Sequence, residues 1–246
     1  MVVLEICAGS LTSAIAAENG GAHRVELCDN LAEGGTTPSP GIISQVIKLL
    51  RIPVFVLIRP RTGDFLYTGE EFEAMKEDVR FCKEHRAEGI VLGILKADST
   101  VDMERTAELI RLAHPMQVTF HRAFDMTRDP FQAMEDLINL GIKRILTSGQ
   151  AANASGGADM IAELITGAAG RIIIMPGGGI NEKNIIELQN KTKAVEFHAS
   201  LRSQVKSRMQ FRNERTSMGK AGEDEYSWME TDPERVRNFI DILNSI

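Results

Sequence analysis

At 246 residues, with 43% hydrophobic and 25% charged side chains, the chain has the composition of an ordinary soluble globular protein. A net charge of −6 without any Lys/Arg tract excludes nucleic acid as the main partner. No apolar run approaches the ~18 residues of a membrane helix. Three cysteines without framework spacing, and no basic or apolar leader pattern at the N-terminus, lead to the expectation of a cytoplasmic protein.

In chain order, short β-rich runs alternate with longer helical patterns. Strands are predicted at 2–7, 24–28, 54–58, 89–93, 117–121, 144–147, 171–175 and 194–198, and helices at 10–19, 39–50, 70–85, 102–113, 130–140, 158–168, 181–189 and 233–245. Asp129-Pro130 and Asp232-Pro233 set a capping carboxylate before a proline at the first helical position. Glycines close helices at Gly20-Gly21 and Gly141. Eight strands, each followed by a helix in a chain near ~250 residues, predict an α/β fold. It is expected to be a single (β/α)8 TIM-like barrel, one domain over 1–246. One stretch breaks the rhythm: about 201–230 is polar, follows the eighth strand, and reads either as a surface loop or as a lid or dimer arm, with Phe211 and Trp228 favouring a contact.

The strand ends carry the chemistry. They read Leu4-Glu5-Ile6-Cys7, Val25-Glu26-Leu27-Cys28, Leu57-Ile58-Arg59-Pro60-Arg61, Thr119-Phe120-His121-Arg122 and Val195-Glu196-Phe197-His198. In a parallel barrel the C-terminal strand ends open on the face that holds the active site. Alternation puts Glu5 with Cys7, Glu26 with Cys28, and Glu196 with His198. An unpaired carboxylate under the helices would be costly, so these groups are expected at the mouth, with Val3, Ile6, Val25, Leu27, Val195 and Phe197 in the apolar layers. The set is either a functional site or a structural network of Glu–Arg pairs. Three carboxylates converging with two histidines favour the former.

Arg59 and Arg61, with Asp64 close by, either hold a carboxylate or phosphate by paired hydrogen bonds or neutralise the acidic groups. His121 is a candidate proton carrier with Asp125 as its orienting carboxylate. Gly177, Gly178 and Gly179, expected to open directly into a helix, are either an anion-binding loop or a tight turn. Cys7 and Cys28 end neighbouring strands, about 4.8 Å apart in a sheet. They are either packed hydrophobes or a pair able to hold a soft ion such as Cu(I), although no CxxC or Cys/His spacing points to copper from the sequence alone. Zinc would need four ligands, which His121 and His198 could complete. Cys82 reads as packing, and His23, His85 and His114 as surface residues.

Several of these segments together resemble the CutC copper homeostasis family. The carriers include Leu4-Glu5-Ile6-Cys7, Gly20-Gly21-Ala22-His23-Arg24-Val25-Glu26-Leu27-Cys28, Glu33-Gly34-Gly35-Thr36-Thr37-Pro38-Ser39, Ile58-Arg59-Pro60-Arg61-Thr62-Gly63-Asp64-Phe65, Thr119-Phe120-His121-Arg122-Ala123-Phe124-Asp125, Met175-Pro176-Gly177-Gly178-Gly179-Ile180 and Glu196-Phe197-His198. His23 stands where an Asp is usual and Thr62 where a Gly is usual. The resemblance implies a cytoplasmic barrel that forms a homodimer or higher homo-oligomer and handles copper, with Cu(I) at the residues matching Cys7 and Cys28. The residues themselves also support an alternative: a barrel enzyme moving protons on a small sugar, sugar-phosphate or carboxylate substrate. Its candidate groups are Glu5, Glu26, Arg59, Arg61, Asp64, His121, Asp125, Glu196 and His198. No reaction can be assigned to them.

Overall fold

The computed structural model describes residues 2–213, 215–216, 218 and 224–245. Eight strands line the interior: β1 (Val3–Ala8), β2 (Arg24–Leu27), β3 (Val54–Leu57), β4 (Gly89–Leu92), β5 (Gln117–Phe120), β6 (Arg144–Thr147), β7 (Ile173–Pro176) and β8 (Glu196–Ala199). Helices α1 (Leu11–Asn19), α2 (Pro40–Leu49), α3 (Gly69–Glu84), α4 (Met103–Ala113), α5 (Pro130–Asn139), α6 (Ala158–Ala168) and α7 (Ile185–Thr192) follow the first seven strands. After β8 come the strands β9 (Arg202–Lys206) and β10 (Ser227–Thr231), and then α8 (Pro233–Asn244). The parallel sheet runs β7-β6-β5-β4-β3-β2-β1-β8. β7 and β8 lie side by side and close the barrel without a ladder between them. This is the predicted (β/α)8 TIM-like architecture.

The strands are short and buried on both faces, which is why they read as apolar runs rather than as alternating ones. Their outward residues, such as Leu4, Ile6, Val25, Leu27, Val56, Ile90, Phe120 and Phe197, pack under the helices and form the main core. Val195 differs from expectation: it precedes β8 and is exposed. The helix starts follow from local capping. Asp129 accepts hydrogen bonds from the Phe131 and Gln132 N–H groups, and Asp232 from those of Glu234 and Arg235, with Pro130 and Pro233 in the first turn. Thr68 and Glu71 form a reciprocal capping box on α3.

α7 begins at Ile185, later than the sequence predicts. Asn184 Oδ1 accepts from the Asn181 N–H at 2.9 Å, and Asn181 Oδ1 from that of Lys183 at 3.0 Å. Both side-chain amides donate to the Gly179 carbonyl. These local bonds hold 181–184 as a turn and delay the helix. The polar stretch after β8 is not structureless. β9 and β10 pair antiparallel, Trp228 opposite Val205 and Glu230 opposite Ser203. Ser10 Oγ donates to Glu230 at 2.6 Å, and Ser13 Oγ bonds the same oxygen. The hairpin is thereby tied to α1. Phe211 is exposed, and residues 214, 217 and 219–223 of the predicted segment lie outside the described residues.

Candidate functional site

Two polar layers fill the barrel. The lower one is a closed ion-pair network. Arg24 starts β2, Arg144 starts β6 and Glu196 starts β8, so all three enter near the N-terminal strand ends. Arg24 binds Glu5 through Nε and Glu196 through Nη2 at 2.7 Å, and Arg144 Nε binds Glu196 at 2.9 Å. Both guanidinium groups lie over the Phe55 ring, 5.0 and 5.2 Å from its centroid. A Cβ at Gly89 would sit 2.6 Å from that ring, so only glycine leaves it room. Burial alone would raise the Glu5 carboxyl. Arg24 and His198 outweigh it and hold the group down at about 2. Glu196 therefore sits one layer below the expected mouth, and with Glu5 it belongs to the structural network.

The upper layer holds Cys7, Glu26, Cys28 and His198. β1 and β2 pair with Cys7 opposite Glu26, and β8 places His198 opposite Glu5. The Cys7 and Cys28 sulfurs lie 3.2 Å apart, and Cys7 Sγ donates to Glu26 Oε2 at 3.1 Å. His198 Nδ1 meets Glu5 Oε1 at 2.8 Å, and its Nε2 lies 3.7 Å from Glu26 Oε2. Donor atoms of Cys7, Glu26 and His198 all fall within 4.8 Å of one another. All three cysteines are free and buried.

The electrostatics follow from that crowding. The Cys7 thiol is pushed well above the ordinary range by its contact with Cys28, by burial and by the Glu26 charge. Contact with Cys7 works to lower the Cys28 thiol, but burial and Glu26 outweigh it and the net shift is upward. Burial raises Glu26, against the pull of His198. Burial works against the His198 imidazolium too, yet Glu26, Cys7 and Glu5 together carry its pKa well above normal. The layer thus sets two thiols that burial keeps protonated beside an imidazole whose charged form Glu5 and Glu26 favour.

Above this layer a cavity of about 240 Å³ opens to solvent, lined also by Arg59, His121, Arg122, Gly178, Gly179 and Arg202, with the Arg202 charge close enough to act on the Cys28 thiol. Arg61 and Asp64 do not line it. Arg61 turns to Asp64 at 2.9 Å and Glu71 at 2.6 Å and covers the Tyr67 ring, a surface network in which acidic partners neutralise it. Nor does Asp125 orient His121. The Ala123 N–H donates to His121 Nδ1 at 3.1 Å, while Asp125 binds Thr147, Ser148 and, at 2.8 Å, Arg122 Nε. His121 is buried, and burial with the Arg59 charge lowers it to about 3, so it stays neutral. It is not one of the clustered donors, so a zinc set completed by His121 does not assemble. Gly178 and Gly179 have φ of +96° and +76°, and reach the cavity without the expected direct helix start.

Arg24, Arg144 and Arg202 lie outside the set that the strand ends predict. For Arg24 the signal was present, because it shares the parity of Glu26 and Cys28 and so must share their face. Arg144 and Arg202 offered none, since each stands at the start of its strand without an acidic neighbour of the same parity.

Fold and mouth define a parallel β/α-barrel protein with a buried thiol–carboxylate–imidazole cluster under an open cavity. The chain belongs to the CutC family, whose model matches residues 2–203. It is 52% identical over 242 residues to a CutC family protein of Chromobacterium violaceum, covering 98% of each chain. It is 47% identical over 245 residues to a mouse protein named copper homeostasis protein cutC homolog, covering 99% of this chain and 90% of that one. Among solved structures, a putative copper homeostasis protein CutC from Streptococcus agalactiae superposes with a TM-score of 0.77 at 36% identity, over 80% of this chain and 98% of that one. The Thermotoga maritima phosphoribosylanthranilate isomerase, at 14% identity and a TM-score of 0.58, shares the fold alone.

Proposed function

We propose that the chain serves copper homeostasis by binding Cu(I) in the cytoplasm between the sulfurs of Cys7 and Cys28. The observation that carries this reading is the 3.2 Å contact between two free thiols on neighbouring strand ends, beside an imidazole and a carboxylate. Paired thiolates select a soft ion, and Cu(I) above the harder divalent cations. The names of the mouse and Streptococcus agalactiae relatives support copper homeostasis as the role. The need for free thiols fits a reducing compartment.

The residues also supply a path for the displaced proton. Both thiols are protonated before the ion arrives, and a thiolate is the ligand form. Cys7 already donates its proton to Glu26 Oε2, whose raised carboxyl is able to accept it. Uptake of Cu(I) therefore releases protons and strengthens as pH rises. An anaerobic competition titration against a Cu(I) chelator tests this. Wild type should hold the ion, the Cys7→Ser/Cys28→Ser variant should lose it, and the wild-type affinity should climb between pH 6 and 8. Equal binding by the double variant would remove the proposal.

We further propose that the whole chain acts as one domain, with the hairpin and α8 packed on α1, and assembles with copies of itself. Val205 and Trp228 form an exposed cross-strand pair on the hairpin. Exposed paired apolar groups of this kind mark a contact surface.

A further inference from the structure

The lining of the cavity carries positive charge that the described residues neutralise only in part. In the lower layer Arg24 and Arg144 are matched by Glu5 and Glu196. Arg59, Arg122 and Arg202, by contrast, line the cavity with Asp125 as their one ion-pair partner among the described residues. Glu26 and the His198 imidazolium, which also line the cavity, offset each other, so among the described residues three positive charges against one negative leave a surplus of two.

Arg59 is buried, and its guanidinium bonds go to the backbone carbonyls of Glu33, Gly35 and Gly63 at 3.2, 2.7 and 2.8 Å. Neutral carbonyls fix its position without cancelling its charge, and its Nε has no partner. Arg122 is held between Asp125 Oδ2 at 2.8 Å and Ser148 Oγ at 2.7 Å, with its guanidinium against Gly178. A Cβ at Gly178 would approach that guanidinium to 3.4 Å. The glycine thus keeps the space between loop and arginine free of a side chain. His121 adds a donor: its Nδ1 accepts from Ala123, so the proton of the neutral ring is on Nε2, which is buried and unpartnered. Gly93 makes room for this ring, since a Cβ there would meet it at 2.5 Å.

Guanidinium groups only partly compensated, beside a glycine turn and a neutral N–H donor, meet the requirements for binding an oxyanion. We infer that this part of the cavity is a phosphoryl-binding subsite. It takes the phosphate of a small phosphorylated metabolite between Arg59, Arg122, Arg202 and the Gly178–Gly179 turn. A phosphate dianion matches the surplus of two charges, whereas a carboxylate leaves one over. None of these residues is a proposed copper ligand, so phosphate binding by the metal-free protein tests the inference separately from the copper reading.

Titration calorimetry of the metal-free protein with inorganic phosphate, and separately with acetate, tests it. Wild type should bind phosphate saturably at one site and acetate more weakly. Arg122→Met and Arg202→Met replace partly exposed side chains whose loss leaves the core intact. Each should weaken phosphate binding by about tenfold or more, the scale of one charge-assisted hydrogen bond. Arg61→Met removes a cation of the same loop region that points away from the cavity, and should bind phosphate like wild type. Absence of saturable phosphate binding overturns the inference. So does acetate binding as tight as phosphate, or an equal loss in the Arg61 and Arg122 variants.

Discussion

Arg24 joins Glu5 and Glu196 across the barrel interior, and its removal tests the lower layer most directly. Taking one partner from a buried ion-pair network leaves uncompensated charge and costs about 3–5 kcal/mol. Arg24→Met should lose that much in urea unfolding, and a loss below about 1 kcal/mol would contradict the network. The same site sets an acid limit. The Glu5 carboxyl falls from 4.5 to about 2 on folding. As pH drops below 4.5 the unfolded chain takes up a proton that the folded chain refuses. The Glu5 contribution is therefore complete above 4.5 and fades as pH falls toward about 2. In Arg24→Met this part of the acid dependence should flatten, which urea midpoints between pH 5 and 3 would show. Parity along the strand was enough to bring Glu5, Cys7, Glu26, Cys28 and His198 to the interior. Which layer each reached was not legible. That depends on strand stagger, which lowered Glu196 beside Arg24 and left His198 beside Cys7.

Among the elements, the eight strands and their order were legible because apolar, largely β-branched runs alternate with helical patterns, and Asp-Pro or Gly punctuation marks several of the boundaries. The start of α7 was not. Asn181 and Asn184 close a side-chain-bonded turn in place of the first helical turn. The β9–β10 pairing was hidden too, because Arg202–Lys206 is polar and shows no buried face. One packing contact fixes how the last helix closes on the first. Gly20, after α1, lies under α8 so tightly that a Cβ there would sit 2.5 Å from Val236 Cβ and 2.8 Å from the Pro233 carbonyl. Gly20→Ala should overpack this junction and cost about 1–3 kcal/mol, read as a lower urea midpoint. Gly41→Ala, where a Cβ would meet nothing within 4 Å, is the control and should be nearly neutral.

At the scale of the whole molecule, the barrel delivers two chemistries to one mouth. Strands β1, β2 and β8 bring the thiols, Glu26 and His198, while the segments after β3, β5, β7 and β8 bring the arginines, His121 and the glycine turn. The motif residues told which groups arrive there. The split between them was not legible, because it depends on Arg61 turning outward to Glu71 and on Asp125 holding Arg122 rather than His121. The hairpin after β8 extends this mouth with apolar surface that the monomer leaves uncovered: Trp228 is 47% exposed and Val205 38%. Its anchoring through Glu230 to Ser10 and Ser13 fixes the hairpin on the barrel, so a partner would meet a preformed surface with little ordering cost. Interfaces draw disproportionately on aromatic anchors of this kind. Trp228→Glu places a charge at the centre of the pair without touching the core. It should shift the protein toward monomer in sedimentation velocity at micromolar concentration. If wild type is already monomeric under those conditions, or Trp228→Glu retains the wild-type assembly, this hairpin is not the surface through which copies of the chain associate.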